Sequence, residues 1–315
     1  MPAQAECPPR IALLIYADFR QNTVLGFQRG MNDLGYSTAV YEVYDAHGNQ
    51  SALDSLAAVI VETSPDLAVA AGGIEADALK LATESTNIPV VFLAAASTVT
   101  RGLIESMINP GANLTGIDSW DSELSEKRLE FITLVLPEAR RVLVLHVPGI
   151  VSSAISLEAV RSKASALGLE LIVEEVETTE DIQKVVLNIQ RFEADALLLL
   201  PSAPVQQDCR EIIFPACLQN RIPIFGINCG DLFVGACFSY GNSRYESGYQ
   251  AALLAHRTLS GTDPSTIPVE ALRNPQFRIN ISTVMLYESL HIDSVAWDLA
   301  DTVLTVDVIS EGEGL

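Results

Sequence analysis

Asp66-Leu67-Ala68-Val69-Ala70-Ala71-Gly72-Gly73 is an apolar run of strand length that stops at two glycines, with a helical stretch behind it. A second apolar strand follows that helix, Pro89-Val90-Val91-Phe92-Leu93. A strand that is apolar throughout, with no alternation, is buried on both faces. Two such strands joined through a helix form a βαβ unit with a parallel sheet. Both phrases return later, in the same order. Pro65-Asp66-Leu67-Ala68-Val69 is echoed by Ala194-Asp195-Ala196-Leu197-Leu198, and Asn87-Ile88-Pro89-Val90-Val91-Phe92 by Arg221-Ile222-Pro223-Ile224-Phe225. Two similar units are expected, and 315 residues hold both at roughly 150 per domain.

The same alternation runs outward from these phrases. Arg10–Tyr16 reads as a strand and Asn22–Leu34 as a helix ending at Gly35. Ser37–Tyr44 is the next strand, and the helix after it carries Leu53, Leu56, Val59 and Ile60 as its apolar face. In the second half, Val142–His146 is a strand and Leu157, Val160, Ala164 and Leu167 mark a helix. Leu169–Val176, a helix with Ile182, Val185, Val186 and Ile189, and the strand Ala196–Leu200 continue the pattern. Pro215 interrupts the next helical stretch, which is either kinked there or starts near Phe214. The fold class is α/β, with parallel sheets covered by helices on both faces.

Composition removes several functions. Against 19 Lys+Arg stand 40 Asp+Glu, a formal net charge of -21. A nucleic-acid partner needs a basic surface to release counterions, and an anionic membrane surface repels such a chain. No apolar run approaches the roughly 18 residues of a membrane span. Met1–Pro9 has neither the basic segment nor the apolar run of a secretory signal, which leaves a cytoplasmic protein or a mature or trimmed exported one. The five cysteines include no C-x-x-C, and the four histidines (His47, His146, His256, His291) are scattered, so no metal site is expected. Cys209 and Cys217 would lie about 12 Å apart along a helix, too far for a disulfide, and buried reduced thiols are expected at Cys209, Cys217, Cys229 and Cys237.

Catalytic signatures are absent as well. The chain contains no G-x-S-x-G, no H-E-x-x-H and no phosphate-binding G-x-x-x-x-G-K-[ST]. The acid pairs Glu174-Glu175 and Glu180-Asp181 read as solvated surface. What remains are strand-to-helix loops rich in small hydrogen-bonding residues, at the carboxyl ends of strands where open α/β sheets bind ligands. They are Asp18–Asn22, Gly72–Glu75, Ala95–Val99, Val147–Ser153, Ser202–Gln206 and Asn228–Asp231. Gly72-Gly73 either offers a helix N-terminus to an anion or only lets the chain turn. Phe19 and Tyr240 could flank a flat apolar ligand, or belong to the core.

One further stretch is distinctive: Ile108-Asn109-Pro110-Gly111-Ala112-Asn113-Leu114-Thr115-Gly116-Ile117, followed by Glu123-Leu124-Ser125-Glu126-Lys127-Arg128-Leu129-Glu130. With Arg140-Arg141-Val142, Ile222-Pro223-Ile224-Phe225, Ser239-Tyr240-Gly241, Glu246-Ser247-Gly248-Tyr249-Gln250 and Ile267-Pro268-Val269-Glu270, it resembles the substrate-binding proteins of ABC transporters of the tryptophan/tyrosine-uptake type. The resemblance spans roughly Arg10 to Ile292. It implies a type I periplasmic-binding-protein fold of two Rossmann-like lobes joined by three hinge crossovers, near Gly116–Ser119, Phe238–Gly241 and Ile267–Leu272. Residues 1–116 with 240–268 would form lobe 1, and 117–239 with 269–315 lobe 2.

The function so implied is that of a periplasmic or otherwise extracytoplasmic receptor, its signal peptide removed or trimmed. It would close on a small molecule, an amino acid or related carboxylate, and deliver it to an ABC permease. A ligand-sensing domain of a signalling protein is the alternative, and an enzyme the remoter one; no cofactor is implied. The ligand is expected between the lobes, touched by Phe19, Asn22, Gly73, Ser97 and Thr98 from one side and by Ser202, Asn228, Asp231 and Tyr240 from the other. An anionic group would lie near Gly73, and a ligand touching both lobes would stabilise the closed state. Two departures bear on its identity. Pro201-Ser202-Ala203-Pro204 and Asn242-Ser243 stand where the family often has an acid able to hold an α-ammonium. Asp231 would replace it, with Glu75 and Asp18 as alternatives.

Overall fold

The computed structural model describes residues 7–272, 274–287 and 290–308. From the amino end the chain runs β1 (Arg10–Ile15), α1 (Gln21–Asp33), β2 (Val40–Asp45), α2 (Gln50–Thr63), β3 (Leu67–Ala70), α3 (Gly73–Thr83), β4 (Val90–Ala95) and β5 (Leu114–Asp118). A second series follows: α4 (Ser125–Val135), β6 (Arg141–His146), α5 (Val151–Leu167), β7 (Glu170–Glu175), α6 (Thr179–Leu187) and β8 (Ala196–Leu198). Next come α7 (Ala203–Asp208), α8 (Phe214–Gln219), β9 (Ile224–Gly226), α9 (Cys229–Leu232) and β10 (Phe238–Gly241). The chain ends with α10 (Arg244–Leu259), β11 (Glu270–Ala271), β12 (Gln276–Asn280), α11 (Ile281–Leu286), α12 (Val295–Leu299) and β13 (Thr302–Leu304).

These elements form two compact units, 1–119 with 244–272 and 120–243 with 273–315. The first holds a sheet of order β11-β5-β4-β3-β1-β2, the second a sheet of order β13-β12-β10-β9-β8-β6-β7. All pairings among the described residues are parallel except β10 with β12. Strands β7-β6-β8-β9-β10 repeat the order β2-β1-β3-β4-β5. The two sequence echoes fall on equivalent strands, β3 with β8 and β4 with β9.

The echo has a physical basis. Asp66 Oδ2 accepts the Arg10 N–H at 2.8 Å, while Asp195 Oδ2 accepts those of Arg140 and Arg141 at 2.7 and 2.8 Å. In each unit the aspartate before the third strand pins the start of the first. Asp66→Ala and Asp195→Ala are each expected to cost about 1 kcal/mol. Hydrogen exchange should accelerate at Arg10 in the first variant and at Arg141 in the second; a common effect on both units would contradict this local role.

Strand burial follows sheet position. β3, β4 and β5 are buried at every residue, while β2 and β7, at the sheet edges, are half-exposed. In β6, Val142 and Val144 face a core with Leu129, Ile132, Leu157 and Val160, whereas Leu143 and Leu145 face Ile182, Val185, Cys209 and Ile213. Period-two alternation thus serves two apolar layers, which is why the strand reads as apolar throughout. In the first unit Ile11, Leu13 and Ile15 pack with Val24, Phe27 and Met31 of α1 and with Ala251, Leu254 and Ala255 of α10. Those two helices meet backbone to backbone: a Cβ on Gly26 would lie 2.0 Å from the Tyr245 carbonyl oxygen, and one on Gly248 1.9 Å from that of Thr23.

Several expectations are corrected. Ile117 and Asp118 belong to β5 of the first sheet, Tyr240 and Gly241 to β10 of the second, and Glu270–Ala271 pairs with β5. The units divide at 119/120, 243/244 and 272/273, a few residues beyond the lobe bounds at 116, 239 and 268, because a strand stays with its sheet until its ladder ends. The buried face of α2 is Leu53, Ala57 and Ile60, with Val59 41% exposed. Asp181 is no idle surface acid, since with Thr178 it forms a capping box at the start of α6. Before Pro215 the helix widens into a π-turn over Cys209–Ile213, which accommodates a ring that cannot donate and would strike the carbonyl four residues back. No described helix is long and apolar enough to cross a membrane.

Candidate functional site

In each unit the sheet order reverses next to its first strand, between β1 and β3 and again between β6 and β8. The carboxyl ends of strands at such a switch point are where doubly wound sheets bind ligands. The residues there are described unit by unit.

In the first unit a buried ion pair ties the two strand ends together. Arg20 Nε donates to Glu75 Oε1 at 2.8 Å and Nη2 to Oε2 at 3.2 Å, and the Tyr16 N–H donates to the same Oε1 at 3.1 Å. Glu75 is thereby committed within its own unit. Phe19 is half-buried, with the Arg20 guanidinium 4.7 Å above its ring, and Asn22 is exposed in the first turn of α1. Gly72 and Gly73 serve a purpose that neither sequence reading anticipated. Gly72 has extended backbone, and a Cβ there would lie 2.3 Å from Arg20 Cζ; one at Gly73 would lie 2.1 Å from Arg101 Nη1. The glycines make room for two guanidiniums. Arg101 pairs in turn with Asp77, so the start of α3 already holds two acids and two bases.

Ser97 and Thr98 follow β4. Ser97 is buried with φ of +56°, a left-handed conformation that is uncommon for serine and that clusters at functional sites. Thr98 turns inward, donating its N–H and its hydroxyl to Asp118 Oδ2 at 3.1 and 2.6 Å. Asp118, buried at the end of β5, escaped the sequence reading; its place after the apolar Leu114–Ile117 run was the available signal.

In the second unit Asn228 and Asp231 come together as a capping box on α9. Asn228 Oδ1 accepts the Gly230 N–H at 2.8 Å, and Asp231 Oδ2 accepts those of Ile227 and Asn228 at 2.6 and 3.0 Å. Ser202, at the N-cap of α7, makes no capping bond, and its buried Oγ has no partner among the described residues. The Tyr240 ring packs on Phe131, with centroids 4.7 Å apart, and its carbonyl accepts from Arg128 Nε at 2.7 Å. Arg128 is fully buried and was missed, although it lies inside the quoted Glu123–Glu130 phrase. It pairs with buried Asp121 at 3.1 Å, donates to the Ile227 carbonyl at 3.1 Å, and also serves the Asp121 carbonyl. His146, another omission, ends β6 with Nδ1 3.0 Å from Ser153 Oγ.

Among the described residues no group of three or more His, Cys, Asp or Glu side chains is arranged to hold a metal. Cys209, Cys217 and Cys237 are buried free thiols, and burial pushes the Cys217 thiol up to about 12. Cys229 departs from expectation in being only half-buried.

Comparison with known proteins adds identity to this geometry. Over residues 10–295 the chain matches the family model for ABC transporter substrate binding proteins. A tyrosine-binding protein of Clostridioides difficile is 25% identical over 281 residues, covering 88% of this chain and 80% of the relative. The crystal structure of a conserved domain protein from Vibrio cholerae superposes with a TM-score of 0.86 at 24% identity, covering 95% of this chain and all of that one. An ABC domain in complex with L-Trp from Streptococcus pneumonia gives a TM-score of 0.86 at 19% identity, with the same 95% and 100% coverage. The doubled strand order, the strand ends lined with hydroxyls and buried charge, and a match over most of the chain agree: this chain belongs to the ABC transporter substrate-binding protein family.

Proposed function

We propose that this protein is the extracytoplasmic receptor of an ABC importer, carrying an aromatic amino acid or a related carboxylate and releasing it unchanged. The family match over residues 10–295 is the observation that carries the receptor reading. The relatives support the ligand class: one is named for tyrosine and one was crystallised with L-Trp. The proposed contacts are Phe19, Asn22, Gly73 and Ser97 in the first unit and Ser202, Asn228, Asp231 and Tyr240 in the second, with Thr98 acting through Asp118. Asp231 is the acid proposed for an α-ammonium, a role it would share with the two N–H groups it already caps. With a net charge of -21, the permease surface that receives the protein is expected to be basic.

Thermal shift and calorimetry with L-tyrosine and L-tryptophan test the reading. A bound ligand at a hundred times its Kd stabilises by about 2.7 kcal/mol, a shift of several degrees. The double variant Ser97→Ala, Asp231→Asn should weaken binding at least ten-fold. Equal affinity in that variant removes both residues from the site, and no shift with either amino acid removes the aromatic class.

A further inference from the structure

His146 is the last residue of β6, beside the switch point of the second sheet, and is 7% exposed. One face of its imidazole is accounted for. Ser153, in the first turn of α5, lies with Oγ 3.0 Å from His146 Nδ1 and accepts the Val147 N–H at 3.1 Å. The buried Ser153 hydroxyl has no other acceptor among the described residues, so its proton goes to Nδ1, which leaves the ring proton on Nε2. Nε2 has no partner among the described residues and is not closed off from solvent. The charged groups whose fields reach the ring are Glu175, its register partner on β7, and Arg161 on α5. Burial, as the largest influence, holds the imidazole below its ordinary value and Arg161 adds to this, while Glu175 opposes both. The ring is therefore neutral near pH 7, a fixed donor at the carboxyl edge of the sheet.

We propose that His146 is a specificity-determining ligand contact, donating its Nε2–H to an acceptor oxygen of the bound small molecule, with Ser153 as the positioning residue that sets the tautomer. The inference rests on the receptor reading above. It names a polar contact that the strand-end hydroxyls alone do not supply. A ligand oxygen placed there meets a directed N–H, whereas a ligand with apolar surface at that point leaves the donor unpaired and is rejected.

Calorimetry with L-tyrosine and L-tryptophan on the wild type, His146→Leu, His146→Gln and Ser153→Ala provides the test. His146→Leu should bind about 10- to 100-fold more weakly, the cost of an unpaired oxygen in a closed site. His146→Gln, which keeps an N–H near the same point, should recover most of that loss. Ser153→Ala should fall between them, and nitrogen NMR of the imidazole should show its tautomers becoming mixed. Tyramine and tryptamine distinguish the acceptor: the gap between wild type and His146→Leu closes with them if the oxygen is the carboxylate. It closes instead with L-phenylalanine if the oxygen is the phenol. If the wild type binds these amino acids and a folded His146→Leu binds them equally, this inference falls and the receptor reading stands. If the wild type binds none of them, the aromatic amino-acid reading falls and takes this contact with it.

Discussion

Arg128→Ala is expected to destabilise the second unit by about 3–5 kcal/mol, among the largest effects of any single substitution in this protein. The guanidinium is fully buried and joins α4 to the Ile227 carbonyl beyond β9 and to the Tyr240 carbonyl in β10. Its removal takes from the buried Asp121 carboxylate the guanidinium that pairs with it at 3.1 Å, and from each of those carbonyls a charged donor. Arg128→Lys should fall short of a rescue, because one ammonium cannot span the fork that reaches them. Hydrogen exchange at β9 and β10, read beside a denaturant titration, would measure the loss. A cost below about 1 kcal/mol would mean that the pair contributes little beyond its own desolvation.

Gly248→Val is the second large effect, expected to cost about 3 kcal/mol or to prevent the first unit from forming. Backbone freedom is not the issue at Gly248. The obstacle is the Thr23 carbonyl oxygen, 1.9 Å from where a Cβ would sit, with Phe27 N 2.9 Å away. Neither atom can yield without moving α1 off the sheet. Gly149→Ala is the control, since nothing lies within 4 Å of the added Cβ, and it should be neutral within about 0.5 kcal/mol. Comparable melting of the two variants would disprove the close helix contact.

The alternation of strands and helices was legible because buried parallel strands leave uninterrupted apolar runs, as in Leu67–Ala70 and Val90–Ala95. The tandem echo was legible for a chemical reason too: Asp66 and Asp195 do the same work at the same strand position. Unit boundaries were not, since a strand's last rung depends on its neighbour, and β5 continues through Asp118 because β4 still pairs with it there. The candidate site was legible only as residue types. Which way a hydroxyl or carboxylate turns is decided by partners far along the chain, 20 residues for Thr98 and Asp118, 99 for Arg128 and Ile227. Such pairings leave no local periodicity to read. His146 was set aside among the scattered histidines because a solitary histidine has no spacing to mark it; what gives it meaning is a strand end beside a switch point.

The packing of α1 against α10 also sets a timetable. On the ribosome, the stretch that will become α1 emerges long before its partner. At about 5–20 residues per second the wait is roughly 10–40 s. Throughout it, the glycine-notched face of α1, with Gly26 and Gly30, lacks the helix that covers it in the finished protein. The nascent first half is therefore held back from its native state by chain order alone, an interval in which a holdase can engage it. A circular permutant beginning at Arg244 would synthesise α10 first, so that α1 would emerge with its partner already made.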